Sequence, residues 1–429
     1  MPRSLCRILF LCISLCLGAS VVSAADAPQW RGPNRDGVFK DTGLLKAWPK
    51  AGPRLLWTYK DAGVGYSSEA VVGDRLYTMG ARGKDEFVFC LDASDPKAVK
   101  QLWAVKVGPL FTFSGNKWGD GPRSTPTVHD GLVYALGGAG NLVCLDARDG
   151  ALKWQKDMLK DLDGDPSQNG GGWWGYSWSP LVDGEQVICV PGGKKGAVAA
   201  LDRKSGKVLW RSKELTDPAV YSSPIGAAVG GRKQYVQLTD NGIAGVAAKD
   251  GSLLWFYKQK YADVVIPTPL FHDGYVYAAA GGNVCDLLKL TASGDGVKAA
   301  KVYSNKNMKT LVNGVVRVDG GIFGHSDRRG WVCQDFVKGK IVWEEENVLG
   351  PGSASYADGR LYCFGEDEGV VVLAEANKEG WKEHGRFTIP EKSKLRKPGG
   401  RMWTPPVIAN GRLYLRDQDL IFCFDISGK

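Results

Sequence analysis

Residues Ser124 to Trp154 read STPTVHDGLVYALGGAGNLVCLDARDGALKW, and the same sentence returns twice downstream. Ser177 to Trp210 reads SWSPLVDGEQVICVPGGKKGAVAALDRKSGKVLW, and Ser222 to Trp255 reads SSPIGAAVGGRKQYVQLTDNGIAGVAAKDGSLLW. Weaker copies begin at Ser67, Thr268, Asn313, Ser355 and Thr404. Eight units at a period of roughly 40 to 55 residues are the spacing of four-stranded propeller blades.

Each unit carries its own strand grammar. A first apolar run meets a tight turn at Asp130-Gly131, Asp183-Gly184, Asp273-Gly274, Asp358-Gly359 or Asn410-Gly411, dipeptides that tolerate the positive φ of a two-residue hairpin. A second strand leads into a Gly-rich loop, and a third ends on Asp146 or Asp202. A second turn at Asp149-Gly150, Ser205-Gly206, Asp250-Gly251 or Lys338-Gly339 opens a fourth strand, which reaches Trp154, Trp210, Trp255 or Trp343 four residues after its glycine.

The last unit stops at Asp425 to Lys429, short of a fourth strand. An orphan segment at the other end, Pro53 to Tyr59 with Trp57 in the tryptophan position, supplies what is missing. The expectation is an all-β, eight-bladed propeller of antiparallel blades occupying 25–429 as one domain, with 53–60 closing the last blade and leaving no open sheet edge. Fifty-seven glycines and 15 tryptophans suit such a turn-rich chain.

Residues 1–24 read as a signal peptide. Arg3 and Arg7 flank an apolar run from Ile8 to Leu17, followed by Val22-Ser23-Ala24, so cleavage is expected after Ala24 and the product in the periplasm or cell envelope. The run is short for a membrane span. The full sequence carries a net charge of +9; removing Arg3 and Arg7 and no acid lowers it by two, to +7. That excess is dispersed, without the basic stripe and interleaved aromatics of a nucleic-acid groove. Three of the ten cysteines lie in the signal. Most of the other seven occupy repeated interior positions of different blades, beyond the ~7 Å Cα separation a disulfide spans, and all are expected to be buried free thiols.

The Asp-x-x-x-Gly-x-x-x-Trp element (Asp146 to Trp154, Asp202 to Trp210, Asp335 to Trp343) resembles the repeat of pyrroloquinoline quinone (PQQ) propellers, a family shared by quinoprotein alcohol dehydrogenases and the assembly factor BamB. Gln29 to Gly37, QWRGPNRDG, resembles the opening segment of exported PQQ-like propellers of the planctomycete type. The dehydrogenase side of this resemblance implies PQQ with calcium, held over the ring by carboxylate and amide oxygens, a stacking tryptophan and a basic residue. After the signal, however, no adjacent cysteine pair occurs and no Cys-x-x-Cys-His haem signature is present. The expectation is therefore that no cofactor is bound and no residue is catalytic.

Function in such a scaffold concentrates in the loops of one face. Two connections between blades stand out: Phe111 to Arg123 (FTFSGNKWGDGPR) and Asp161 to Trp178 (DLDGDPSQNGGGWWGYSW). Trp118, Trp173, Trp174, Tyr176 and Trp178 suit sugar rings or apolar partner groups, or else plug the ring and pack on neighbouring loops. The same face is expected to carry Arg123, Lys194, Lys195, Asp240, Asn241, Asn283, His325, Asp327 and Arg328. Asp161, Asp163 and Asp165 alternate as in a calcium loop, but Pro166 and Gly172 replace the glycine and glutamate such a loop needs. His129 and His272 precede turns on the opposite side, which argues against a shared metal site.

Three functions remain open at this level. The first is a non-catalytic, monomeric platform binding an envelope protein. The second is a carbohydrate-polymer binder using the Trp173 loop, and the third is a PQQ-dependent alcohol or sugar dehydrogenase.

Overall fold

A computed structural model describes residues 24–428 except 168–173, 283, 295 and 311–313. The eight repeats form eight separate four-stranded antiparallel sheets, and among the described residues no α-helix forms. In the second blade the strands a to d are Thr127–His129, Leu132–Leu136, Asn141–Asp146 and Leu152–Asp157. The hairpin signals place the turns as their chemistry requires: Asp130, Asp273, Asp358 and Asn410 adopt φ of 46°, 48°, 49° and 58°, each followed by a glycine at positive φ. The third blade differs. Asp183 pairs with Gln186, so its loop is Gly184-Glu185 rather than Asp183-Gly184, with positive φ at the glycine only.

The four-residue step from glycine to tryptophan is a docking device between blades. Strand d bulges one residue before each tryptophan: Cys144 pairs with Trp154 while Leu145 pairs with Leu152, skipping Lys153. The same shift recurs before Trp103, Trp210, Trp255 and Trp343. The indole then covers the glycine of the next blade, whose missing Cβ makes the room. A Cβ on Gly206 would meet Trp154 at 2.8 Å, and one on Gly251 would meet Trp210 at 2.3 Å. Trp154 and Trp210 also donate their ring N–H to Arg203 O and Ala248 O of the following blade. Opposite each indole on strand c sits a small residue, Cys90, Cys144, Ala200, Gly245, Cys333 or Cys423. The repeated cysteines are thus packing partners for tryptophan; the seven described are all free and buried.

Ring closure follows the expected strand. Arg54–Tyr59 pairs antiparallel with Leu420–Asp425, Trp57 lying opposite Cys423, and completes the sheet whose other strands are Arg412–Asp417 and Val407–Ala409. Buried Arg416 fastens this last blade to the first, donating to Ser67 O (2.9 Å), Thr78 Oγ1 (2.7 Å) and Met79 O (2.6 Å).

Residues 26–41, ahead of the closing strand, thread the centre of the ring, and the chain then runs outward until Trp48 N–H reaches His384 O on the outer strand of the seventh blade. Ala27 bridges Val71, and Val128 N–H donates to Pro28 O. Arg35 donates to Ser179 O (2.8 Å) and Pro180 O (2.9 Å), and Arg31 to Val315 O (2.5 Å). Phe39 N–H reaches Tyr356 O, and Asp41 accepts Gly411 N–H at 2.7 Å. These partners belong to blades 1, 2, 3, 6, 7 and 8. Arg31 and Arg35 are buried, which pushes their guanidinium pKa down to about 10 and about 9. Carbonyl acceptors offset the cost of burying the two cations.

Glu69 lies in the interior at the junction of the last and first blades. Its Oε1 makes no hydrogen bond and its Oε2 only a 3.5 Å contact with Ser68 Oγ, so burial pushes its pKa up to about 7, against the pull of Arg416. The folded state therefore holds a proton that the unfolded chain releases near pH 4.5. The stabilisation from this site is complete below that pH and is lost as pH climbs to about 7, on the order of 3 kcal/mol. Glu69→Gln is expected to flatten this part of the melting temperature's fall between pH 5 and 8; an unchanged slope would refute the assignment.

Candidate aromatic cup on the propeller axis

The innermost strands begin with a hydroxyl that links one blade to the next. Ser68 N–H donates to Thr125 Oγ1 (3.1 Å), Thr125 N–H to Ser179 Oγ (2.9 Å) and Ser179 N–H to Ser223 Oγ (3.0 Å). Two residues before each such position the side chain turns into the centre of the ring. In consecutive blades these residues are Tyr66, Arg123, Ser177, Tyr221 and Ile266, with Trp403 from the last blade. They line a cavity of about 300 Å³, at the lower end of ligand-pocket size. A larger groove of about 580 Å³ beside Asp183, Lys233 and Asp250 is polar and shallow, without this convergence of rings.

Trp30 of the axial segment contributes to the cavity's wall and is held by a 2.9 Å bond from its ring N–H to Thr268 Oγ1. Connections between blades add Phe113, Asn116, Trp118, Trp174, Asp263 and Val264. The rings pack at tilted angles of 32° to 41°: Trp118 and Trp174 lie 5.3 Å apart, Phe113 and Trp174 5.9 Å, Tyr66 and Trp403 5.1 Å. Tyr66 and Tyr221 donate their hydroxyls to Trp118 O and Trp174 O, both at 2.5 Å. Burial pushes the Tyr66 phenol up to about 12 and raises that of Tyr221, so both remain donors at neutral pH.

The Phe111 to Arg123 connection is held in place around Asn116. Its Oδ1 accepts the backbone N–H of Trp118 and Gly119, and its Nδ2 donates to Gly119 O and Asp120. Lys397, from the last connection, pairs with Asp120 at 2.7 Å and donates to Asn116 O. Beneath the loop, Glu86 accepts the backbone N–H of Phe111 and Gly138, and burial pushes its pKa up to about 7. The cup is thus preorganised from several connections at once.

Of the residues singled out from sequence, Trp118, Arg123 and Trp174 meet in this cup. Trp173 and Asn283 lie outside the described residues. Tyr176 and Trp178 are interior side chains, 1 % and 0 % exposed, packed in the core between the second and third blades. The remaining loop residues do not converge on the cup. Lys194 is exposed and Lys195 pairs with Asp163 at 2.7 Å. Asp240 is buried, and Asn241 bonds Asp217. His325 packs edge-on against Trp331, and burial pushes its pKa down to about 4. Asp327 and Arg328 pair with each other in a separate surface groove.

Nor do the alternating aspartates converge. Asp161 accepts Asp157 N–H, Asp165 accepts Ser167, and Asp163 faces Lys195. Among the described residues no three His, Cys, Asp or Glu side chains gather to hold a metal ion. The cup residues missed in the sequence, Tyr66, Tyr221, Ile266 and Trp403, had a readable signal. Each stands two residues before the strand-a hydroxyl, or before Pro405 where that hydroxyl is replaced, one per repeat.

An eight-bladed ring of four-stranded antiparallel blades, with an aromatic-lined cavity among its inner strands, defines the chain as a β-propeller. The family described as "Outer membrane protein assembly factor BamB" matches residues 88–345, more than half of the chain, and the chain belongs to this family of PQQ-like β-propellers. BamB of Salmonella typhimurium is 29% identical over 109 residues, covering 24% of this chain and 23% of that protein. Quinoprotein alcohol dehydrogenase PedH of Pseudomonas putida is 26% identical over 194 residues, covering 44% of this chain and 29% of PedH. The alignments thus span under a third of these two relatives. In three dimensions the ring resembles BamB of Moraxella catarrhalis (TM-score 0.57, 16% identity, 85% of this chain and 95% of that one). It also resembles the quinohemoprotein alcohol dehydrogenase of Comamonas testosteroni (TM-score 0.63, 13% identity, 94% and 81%). At these identities the likeness speaks for the fold.

Proposed function

We propose that this chain is an exported, non-catalytic binding protein of the cell envelope that takes a ring-bearing group of its ligand into the axial cup. The observation that carries the reading is the convergence of Trp30, Trp118, Trp174 and Trp403 with Tyr66 and Tyr221 around a single cavity. Indole faces bind ring-shaped ligands by stacking and apolar burial, and the fixed loops reduce the ordering cost of binding. Membership of the BamB family supports an envelope role, and the putting together of an amino-terminal signal pattern with this fold supports export.

The donor set favours binding over quinone chemistry. An ion-polarised quinone calls for carboxylate and amide oxygens turned toward the ligand. Here the amide of Asn116 is engaged by its own loop, and Asp263 is the cup's single carboxylate among the described lining residues. These residues do not fit that group.

The tryptophans themselves report occupancy. Titrating the protein with indole derivatives and with mono- and oligosaccharides should give a saturable change in intrinsic fluorescence for at least one of these ring classes. That change is expected to disappear in Trp174→Ala. No saturable response to either class, or one indifferent to Trp174→Ala, would reject the cup as the binding site.

A further inference from the structure

Arg123 stands out in the cup as a cation set among rings. Its guanidinium lies 5.2 Å from the Phe111 ring centre and 5.6 Å from that of Tyr221. Two long bonds to backbone carbonyls, Gly119 O at 3.2 Å and Trp174 O at 3.4 Å, position it. Among the described residues it forms no ion pair within 4 Å. Glu86, beneath the loop and outside the cup's lining, is occupied by the Phe111 and Gly138 amides, and the cup's one acidic lining residue among those described, Asp263, is exposed to solvent that screens it.

A partly buried guanidinium has five donors in a planar fork suited to a carboxylate, and two carbonyls leave much of that capacity unused. A binding cup lined by neutral aromatics alone would have been satisfied by any hydrophobic residue at this repeat position, as Ile266 shows in the fifth blade. Resting on the cup reading above, we infer that Arg123 makes the site selective for a carboxylate carried on a ring. The ring stacks among the indoles while the carboxylate meets the guanidinium at the wall. Aromatic acids and uronic-acid sugars share this chemistry.

Two matched pairs of probes separate charge from ring: indole-3-acetate against indole-3-acetamide, and glucuronate against glucose. Binding is followed by calorimetry and tryptophan fluorescence on the full mature chain. The carboxylate of at least one pair is expected to bind about tenfold more tightly than its neutral partner, the scale of one charge-assisted hydrogen bond. The favoured pair identifies the source of the ring, and the preference should shrink with added salt. Arg123→Met, which keeps length and apolar body, is expected to bring the ratio near one. Arg123→Lys, which keeps the charge, should retain part of the preference; its melting curve and that of Arg123→Met verify folding. Equal affinities within each pair, or a preference that survives in Arg123→Met, would overturn the inference while leaving the cup as a binding site. Failure of all four probes to bind would remove both.

Discussion

A chain lacking everything up to Lys60 is expected to lose its cooperative unfolding transition altogether. The deletion removes strand Arg54–Tyr59, which pairs with Leu420–Asp425 and carries Trp57 into the core beside Tyr414. The last blade would then expose the backbone of an apolar strand, LIFCFD, to solvent and to other chains. It also removes the axial segment, whose buried Arg31 and Arg35 satisfy three carbonyls of two blades. Closing a ring of this length depends on joining residues more than 360 positions apart, so the loss is global rather than local. A second chain cut after residue 52 keeps the closing strand but lacks the axial segment, and should fold with a lowered melting temperature. Calorimetry on both separates the two contributions. If the shorter chain melted like the full one, closure by the amino-terminal strand would be refuted.

The second large effect separates two tryptophans only four residues apart. Trp178 is fully buried and packs edge-on against Tyr176, 6.3 Å between ring centres, in the core shared by the second and third blades. Trp178→Ala is expected to cost about 3–5 kcal/mol, read as a drop in denaturation midpoint, because a rigid interior collapses poorly around so large a void. Trp174 is half-buried at the cup, and its alanine variant should remain close to the parent in stability, within about 1 kcal/mol, while losing ring binding. Similar stability losses for both would mean that Trp174 too belongs to the core, and that the cup is packing rather than a site.

These two residues show how far a sequence of this kind can be read. Both are large aromatics on one glycine-rich connection, and their types and spacing treat them alike. What separates them is side-chain direction: Trp178 immediately precedes the inward hydroxyl of Ser179 and turns between blades, whereas Ser177, two before it, faces the axis. That alternation follows from extended backbone, in which successive side chains point to opposite sides. It can be assigned only once the hydroxyl position is aligned across blades.

The number of blades, their strand order, the a-to-b hairpin residues outside the third blade and the closing strand were determined by the sequence alone. They rest on local chemistry that returns from unit to unit, positive-φ dipeptides and a tryptophan four residues after a glycine, and on one missing strand matched by an orphan one. Tertiary structure decided what that grammar is for. The glycine is the seat of the preceding blade's tryptophan, and Cys90, Cys144, Cys333 and Cys423 are the small residues opposite an indole. The segment Gln29 to Gly37 is an axial element whose Trp30 helps to wall a cup. The same holds for the site itself, because Tyr66, Arg123, Tyr221 and Trp403 are scattered over more than 330 residues. Only the closing of the ring brings them within reach of one ligand, since a circular array turns equal positions in separate repeats into neighbours around an axis.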